Sequence, residues 1–197
     1  MKKVFTPIIV LLFFILFIGG CKKDNKDEAS KSYFTFNNTE YNLAKGFLEN
    51  YGKSGDEGYN LDLTLLSDAF VIHENSGEID SITGTGSGIN FEIFTSQSTK
   101  LDVKEYVYDA TESGADGTFD FGMMVINYNA ATETGELLEI TGGKVTVVSN
   151  GSDYEININC TTSNGKTITG HFKGPLKYYN YDKKNKSESG IFQKRTW

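Results

Sequence analysis

Residues 154–161 read YEININCT, and apolar and polar side chains alternate at every position of this stretch. Successive side chains of a β-strand point to opposite faces, so Tyr154, Ile156, Ile158 and Cys160 share one face. The polar residues between them share the other face. The stretch therefore predicts a strand with one face in the core and the other in water.

The same pattern continues on both sides, with turn residues between the runs. A run at residues 144–149 (KVTVVS) leads into it through residues 150–152 (NGS), and Asn-Gly is a strong hairpin signal. Residues 163–165 (SNG) predict the next turn, and residues 166–173 alternate again. A further run follows at residues 176–179. The C-terminal third of the chain is thus typical of a meander of antiparallel strands.

Earlier parts of the chain contain similar runs and few helix signals. The clearest are at residues 33–36, 41–43, 59–65, 89–93 and 119–128, and Asn-Asn between the first two predicts a hairpin. Counting all runs gives roughly nine to eleven strands. We expect an all-β fold, an antiparallel two-sheet β-sandwich, with a closed lipocalin-like barrel as the alternative.

The N-terminus has the parts of a secretory signal peptide. Lys2 and Lys3 precede an uncharged, mostly apolar stretch at residues 4–18. These 15 residues are fewer than the roughly 20 that a membrane-spanning helix needs. The length fits the apolar region of a signal peptide, so we expect residues 1–20 to be removed from the mature chain.

The apolar stretch ends in Ile18-Gly19-Gly20-Cys21, which resembles a bacterial lipobox. The resemblance implies that the Cys21 thiol receives a diacylglyceryl group and that the chain is cut just before it. Two or three acyl chains anchor a protein durably, whereas one chain does not. A permanent membrane span with an incidental cysteine is the alternative, and the short apolar stretch argues against it.

Residues 21–32 hold the lipidated cysteine and a polar tether, and residues 33–197 form a single all-β domain in this prediction. Within the tether, Lys26-Asp27-Glu28 resembles the export signal of surface lipoproteins in Bacteroidetes-type bacteria. An ordinary charged linker explains these three residues equally well. The expected location is the outer membrane, with the domain at its periplasmic face or at the cell surface.

Charge and cysteine content exclude several functions. The chain has a net charge of −7 and the leader contains no acid, which argues against nucleic acid as a partner. Cys160 is the second of two cysteines, so no internal disulfide remains after lipidation. No Cys/His spacing fits zinc. We expect no metal and no cofactor.

Catalytic patterns are also missing. His73 and His171 are the two histidines, and no Gly-x-Ser-x-Gly motif accompanies them. Cys160 shares a face with isoleucines and is expected to be a core thiol. Residues 109–120 (DATESGADGTFD) have the length of a calcium loop, but Thr and Ser replace the usual acids at its third and fifth positions and its flanks resemble strands, so we favour a plain acidic connector. We therefore expect no enzymatic activity.

The aromatic C-terminal region supplies the candidate binding surface. Aromatic faces stack on sugar rings, and Tyr179, Tyr181 and Trp197 are the predicted ligand-binding residues. Burial of the two tyrosines in the core is the alternative. Separately, Asp80-Ser81-Ile82 resembles the O-glycosylation site used by the same bacteria, which implies a modified Ser81.

Several stretches resemble uncharacterised surface lipoproteins of Bacteroidetes-type bacteria, and they cover roughly half of the domain. The resembling stretches are residues 84–94, 143–147, 154–156 and 164–176. The resemblance implies an all-β fold and carries over no catalytic residue. We expect a lipid-anchored binding or adhesion module, with a glycan or an envelope protein as its partner. A carboxylate-based hydrolase and a structural envelope component are the alternatives.

Overall fold

The computed structural model describes residues 31–54 and 58–182. The predicted signal peptide, Cys21, Lys26-Asp27-Glu28 and Trp197 lie outside these residues. Within them the chain forms thirteen β-strands, and no helix there is long and apolar enough to cross a bilayer. The strands are β1 (Tyr33–Phe36), β2 (Thr39–Asn42), β3 (Lys45–Ser54), β4 (Gly58–Leu66), β5 (Val71–Asn75), β6 (Glu78–Thr83), β7 (Thr85–Thr95), β8 (Glu105–Tyr108), β9 (Thr118–Asn129), β10 (Thr134–Asn150), β11 (Tyr154–Thr162), β12 (Thr167–Gly174) and β13 (Lys177–Asn180).

The all-β prediction is confirmed, but the two-sheet antiparallel sandwich is wrong. Eleven strands form one large curled sheet, a half-barrel, in the order β13-β3-β4-β7-β9-β8-β10-β11-β12-β1-β2. β5 and β6 form a separate two-stranded sheet. The large sheet is mixed, because β13 lies parallel to β3 and β8 lies parallel to β9. Its edge strands, β13 and β2, are not paired with each other, so it is not a closed barrel either.

The departures have a physical reason. An antiparallel neighbour follows a short turn, whereas a parallel neighbour requires the chain to cross to another part of the sheet. β13 follows β12 directly but pairs with β3 at the far edge, with Lys177 opposite Phe47. β8 is inserted between β9 and β10 where these two strands diverge. Alternation along a strand carries no information about such partners.

The predicted meander of β10, β11 and β12 is confirmed. Ile156 pairs with Phe172 across β11 and β12, and Ile158 pairs with Val145 across β10 and β11. All four side chains are buried. The first hairpin is also confirmed: Asn37 and its neighbour in the turn both have a positive φ, which the tightest hairpin turns require.

The main core lies inside the curl of the large sheet. Central strands β4 and β7 contribute alternating residues that are fully buried, and β11 and β12 face them. The central residues of this core are Leu61, Leu63, Leu65, Ile89, Phe91, Ile93, Ile156, Ile158, Cys160 and Phe172. The alternation predicted for β4, β7 and β11 places these residues correctly.

A second core lies on the opposite face of the sheet, where the alternation in β4 predicts contact with water. There the hairpin of β5 and β6, which we call the capping hairpin, packs Ile72, Ile79 and Ile82 against the sheet. The covered residues are Phe47, Leu66, Phe70, Val125, Tyr128, Tyr179 and Tyr181. Thr64 is fully buried on this face, and its hydroxyl accepts a hydrogen bond of 2.9 Å from the Asn90 amide.

Candidate functional site

A cleft of about 460 Å³ opens where the capping hairpin meets the edge of the large sheet. Its walls come from the start of β3, the end of β12, the start of β13 and one side of β5. The lining residues are Ser32, Leu43, Ala44, Lys45, Gly46, Phe47, Ile72, Glu74, Phe172, Lys173, Gly174, Pro175, Leu176, Lys177 and Tyr179. The volume falls in the range of pockets that hold small ligands, roughly 300–1,000 Å³.

The floor of the cleft is apolar. Leu43, Phe47 and Phe172 are buried there, and Leu176 is half-buried above them. Gly46 allows Leu176 to come this close, because a Cβ at position 46 would lie 2.4 Å from Leu176 Cδ2. The crossing from β12 to β13 therefore forms a wall of the cleft instead of a solvent-exposed loop.

The charged end of the cleft centres on Glu74, which the capping hairpin contributes. Lys177 Nζ lies 2.6 Å from Glu74 Oε1 and 2.5 Å from Oε2. The Tyr179 hydroxyl donates to Oε1 over 2.7 Å. These contacts, that of Lys177 first, lower the pKa of Glu74. Burial, and then the neighbouring Glu74 carboxylate, raise the pKa of Tyr179, so Tyr179 keeps its proton and remains a donor.

Two further lysines line the cleft. Lys45 Nζ donates to the carbonyl oxygens of Asp68, at 3.1 Å, and of Phe70. Lys173 Nζ lies 3.7 Å from the Glu155 carboxylate, outside the cleft. Among the described lining residues there are thus three lysines and one carboxylate. The side chains that line the cleft therefore carry more positive than negative charge, although the chain as a whole is acidic.

Tyr179 and Tyr181, the predicted stacking residues, do not present their rings to solvent. Each side chain is 2 % exposed. The Tyr181 hydroxyl accepts a hydrogen bond of 2.8 Å from the Ile79 amide, and its ring stacks on Tyr51. β13 and the residue that follows its end place Tyr179 and Tyr181 on the sheet face that the capping hairpin covers. They hold the hairpin, and Tyr179 alone of the two reaches the cleft.

The histidines lie apart from the cleft. His73 Nε2 and the Thr83 hydroxyl are 2.9 Å apart on the exposed side of the capping hairpin. His171 Nδ1 lies 3.0 Å from Asn157 Oδ1 on the outer face of the meander. Ser81, the predicted glycosylation site, is exposed in β6 opposite His73. Modification of Ser81 stays a prediction.

Cys160 is a core thiol, as predicted, with 1 % of its surface exposed. Burial raises its pKa to about 12, and its contact with the Lys144 carbonyl opposes this effect only in part. A thiol acts as a nucleophile through its thiolate. At neutral pH Cys160 therefore packs as a small apolar side chain.

Asp109 forms a closed turn within the predicted acidic connector. Oδ1 accepts hydrogen bonds from the Thr111 amide (2.8 Å) and hydroxyl (2.6 Å), and Oδ2 accepts from the Ser113 amide (3.0 Å) and hydroxyl. The Ser113 contact first, and then that of Thr111, lower the pKa of Asp109. In the part of the chain that the structure describes, no three His, Cys, Asp or Glu residues are grouped to hold a metal.

Comparison with known proteins identifies no relative: no family model matches the chain, and neither do the curated proteins or the solved structures.

The cleft was not predicted from the sequence. Glu74 and Lys177 are 103 positions apart, and no local pattern pairs them. The available signal was the cluster of Lys173, Lys177 and intervening apolar residues beside Pro175, which marks a basic and apolar crossing.

Proposed function

We propose that this chain is a lipid-anchored envelope protein whose cleft binds a small ligand with an apolar body and an anionic group. The observation that carries the proposal is the charge of the cleft over its apolar floor. Three lysines line the cleft with one carboxylate. Lys177 pairs with that carboxylate and Lys173 with Glu155 outside the cleft, so Lys45 is the lining cation held by carbonyl oxygens and not by a carboxylate. An anion adds a favourable contact in such a site, while the apolar body is removed from water.

The position of the cleft relative to the proposed anchor supports this function. Ser32, the last residue of the tether, lines the cleft, and its hydroxyl accepts a hydrogen bond of 2.8 Å from the Lys173 amide. Residues 22–32 span at most about 35 Å when extended. The cleft is therefore held within that distance of the lipid surface, where amphiphilic molecules are concentrated.

Two earlier expectations fit the cleft less well. A neutral glycan binds by stacking its sugar rings on exposed aromatic rings, whereas Tyr179 and Tyr181 are both buried. A carboxylate-based hydrolase needs a general acid with a raised pKa beside a second carboxylate. Glu74 has a lowered pKa and is the one acid among the described lining residues. Binding without chemistry is the simpler use of this site.

Titration of a homologous series of ligands tests the proposal. We expect the full chain in phospholipid nanodiscs to bind straight-chain alkanoates, with empty nanodiscs subtracted as the blank. Each buried CH₂ contributes about 0.8 kcal/mol, so affinity should rise about fourfold per carbon until the floor is filled. Alkylammonium ions of equal length are the matched control and should bind much more weakly. Equal affinity for both charges, or no binding above the blank, would reject the proposal.

A further inference from the structure

We propose that Glu74 occupies the anion subsite of the cleft, and that a ligand carboxylate replaces it and releases the capping hairpin. This inference rests on the proposed function and adds the ligand class, a carboxylate, and the way the site is regulated. Glu74, which lies on the capping hairpin, would then take the place of the ligand carboxylate until a ligand binds.

The geometry of the subsite points to a carboxylate. Lys177 Nζ and the Tyr179 hydroxyl converge on Glu74 Oε1 at 2.6 Å and 2.7 Å. A ligand carboxylate in the same place meets the same two donors, one charged and one neutral. Charge-assisted hydrogen bonds of this kind are stronger than neutral ones. When a ligand carboxylate replaces Glu74, the hydrogen bonds from Lys177 and Tyr179 are therefore kept.

The capping hairpin is held to the large sheet by side-chain contacts, among them the packing of Ile72, Ile79 and Ile82. It shares no strand pairing with the large sheet. Glu74 pairs with Ile79 across the hairpin, and the Ile79 amide donates to the Tyr181 hydroxyl over 2.8 Å. Glu74 and Ile79 thus make one polar link between the tip and the sheet, and Glu78 beside them makes a further electrostatic contact. Lys45 fixes the other end of the hairpin through the carbonyl oxygens of Asp68 and Phe70.

This arrangement allows the hairpin to move about its fixed end. Removing Glu74 from Lys177 and Tyr179 takes away one of the polar contacts at the tip, beside the apolar surface of Ile72, which lines the cleft. A ligand with an apolar chain can cover that surface while its carboxylate holds Lys177 and Tyr179. Ligand binding and hairpin release are thereby coupled through one anion subsite.

The first test uses octanoate and the full chain in nanodiscs, with titration calorimetry against an empty-nanodisc blank. Glu74→Gln keeps an acceptor for Tyr179 but frees the Lys177 ammonium, so octanoate should bind about tenfold more tightly. Octanol, which has no charge, should show no such gain. Glu105→Gln is the matched control, because it frees Lys144, which does not line the cleft, and should change affinity less than twofold.

The second test uses the unaltered chain and does not depend on any variant folding. Octanoate should increase amide hydrogen exchange in residues 71–83, while octanol should not. If octanoate binds but Glu74→Gln gives no gain and exchange in the hairpin does not rise, the replacement of Glu74 is wrong and simple binding stands. If neither protein binds octanoate, dodecanoate or any other alkanoate, the proposed function itself fails.

Discussion

At the scale of the residue, burial decides what Cys160 can do. Its thiol lies among Ile158, Val145 and Ile168 in the main core, and its pKa is raised to about 12 from the usual value of 9.0. A neutral thiol in an apolar site resists alkylation and oxidation because the reactive thiolate is absent. The sequence predicted this from one alternation, since Cys160 follows two isoleucines at a spacing of two.

The raised pKa predicts a loss of stability at high pH. Because the folded state holds the thiol proton more tightly, the stabilisation is complete below pH 9 and is lost as pH rises toward 12. Between pH 7 and pH 10 the wild type should lose about 1–2 kcal/mol more unfolding free energy than Cys160→Ala. Urea titrations at both pH values measure this difference. Equal losses in the two proteins would show that the thiol ionises normally.

At the scale of the element, sequence patterns predict the pairing of strands that are adjacent in the chain but not the pairing of strands that are far apart. β10, β11 and β12 follow one another through short turns, so local alternation and Asn-Gly signals suffice. β13 and the capping hairpin find partners far along the chain. For Tyr179 and Tyr181 the sequence left ligand binding and burial both open, because nothing near them in the chain indicates that β5 and β6 cover them. The cleft was missed for the same reason, since four separate elements build it.

The register of β11 can be tested by comparing its two faces. Ile158 is 2 % exposed, and Ile158→Ala should cost about 2–5 kcal/mol from lost burial and a residual cavity. Asn159 faces water in the same strand, so Asn159→Ser should change stability by less than about 0.5 kcal/mol. Urea midpoints of both variants measure the contrast. A larger loss for the asparagine variant would mean that the strand is inverted.

At the scale of the whole molecule, the charge distribution and the proposed tether meet at the same region. The chain is acidic overall, yet Lys45, Lys173 and Lys177 gather at the cleft beside Ser32, the last residue of the proposed tether. Surface fields of this kind act over about 8–10 Å at physiological salt, so the lysines influence ligands at the cleft and leave the acidic remainder of the surface unchanged. The proposed anchor and the proposed binding depend on each other, because a cleft that is not held at a membrane has no preferred access to membrane amphiphiles.

The proposed lipid anchor can be tested at Cys21. If residues 18–21 act as a lipobox, the Cys21 thiol accepts the lipid, and no other group of the chain can replace it. Cys21→Ala should abolish labelling with palmitate and leave the precursor uncut, measured by gel mobility and lipid incorporation in the producing cells. Cys160→Ala is the matched control, because that thiol is buried in the folded domain and its loss should leave labelling intact. Palmitate incorporation that persists in Cys21→Ala would refute lipidation at this residue, and with it the argument that the cleft is held near a membrane.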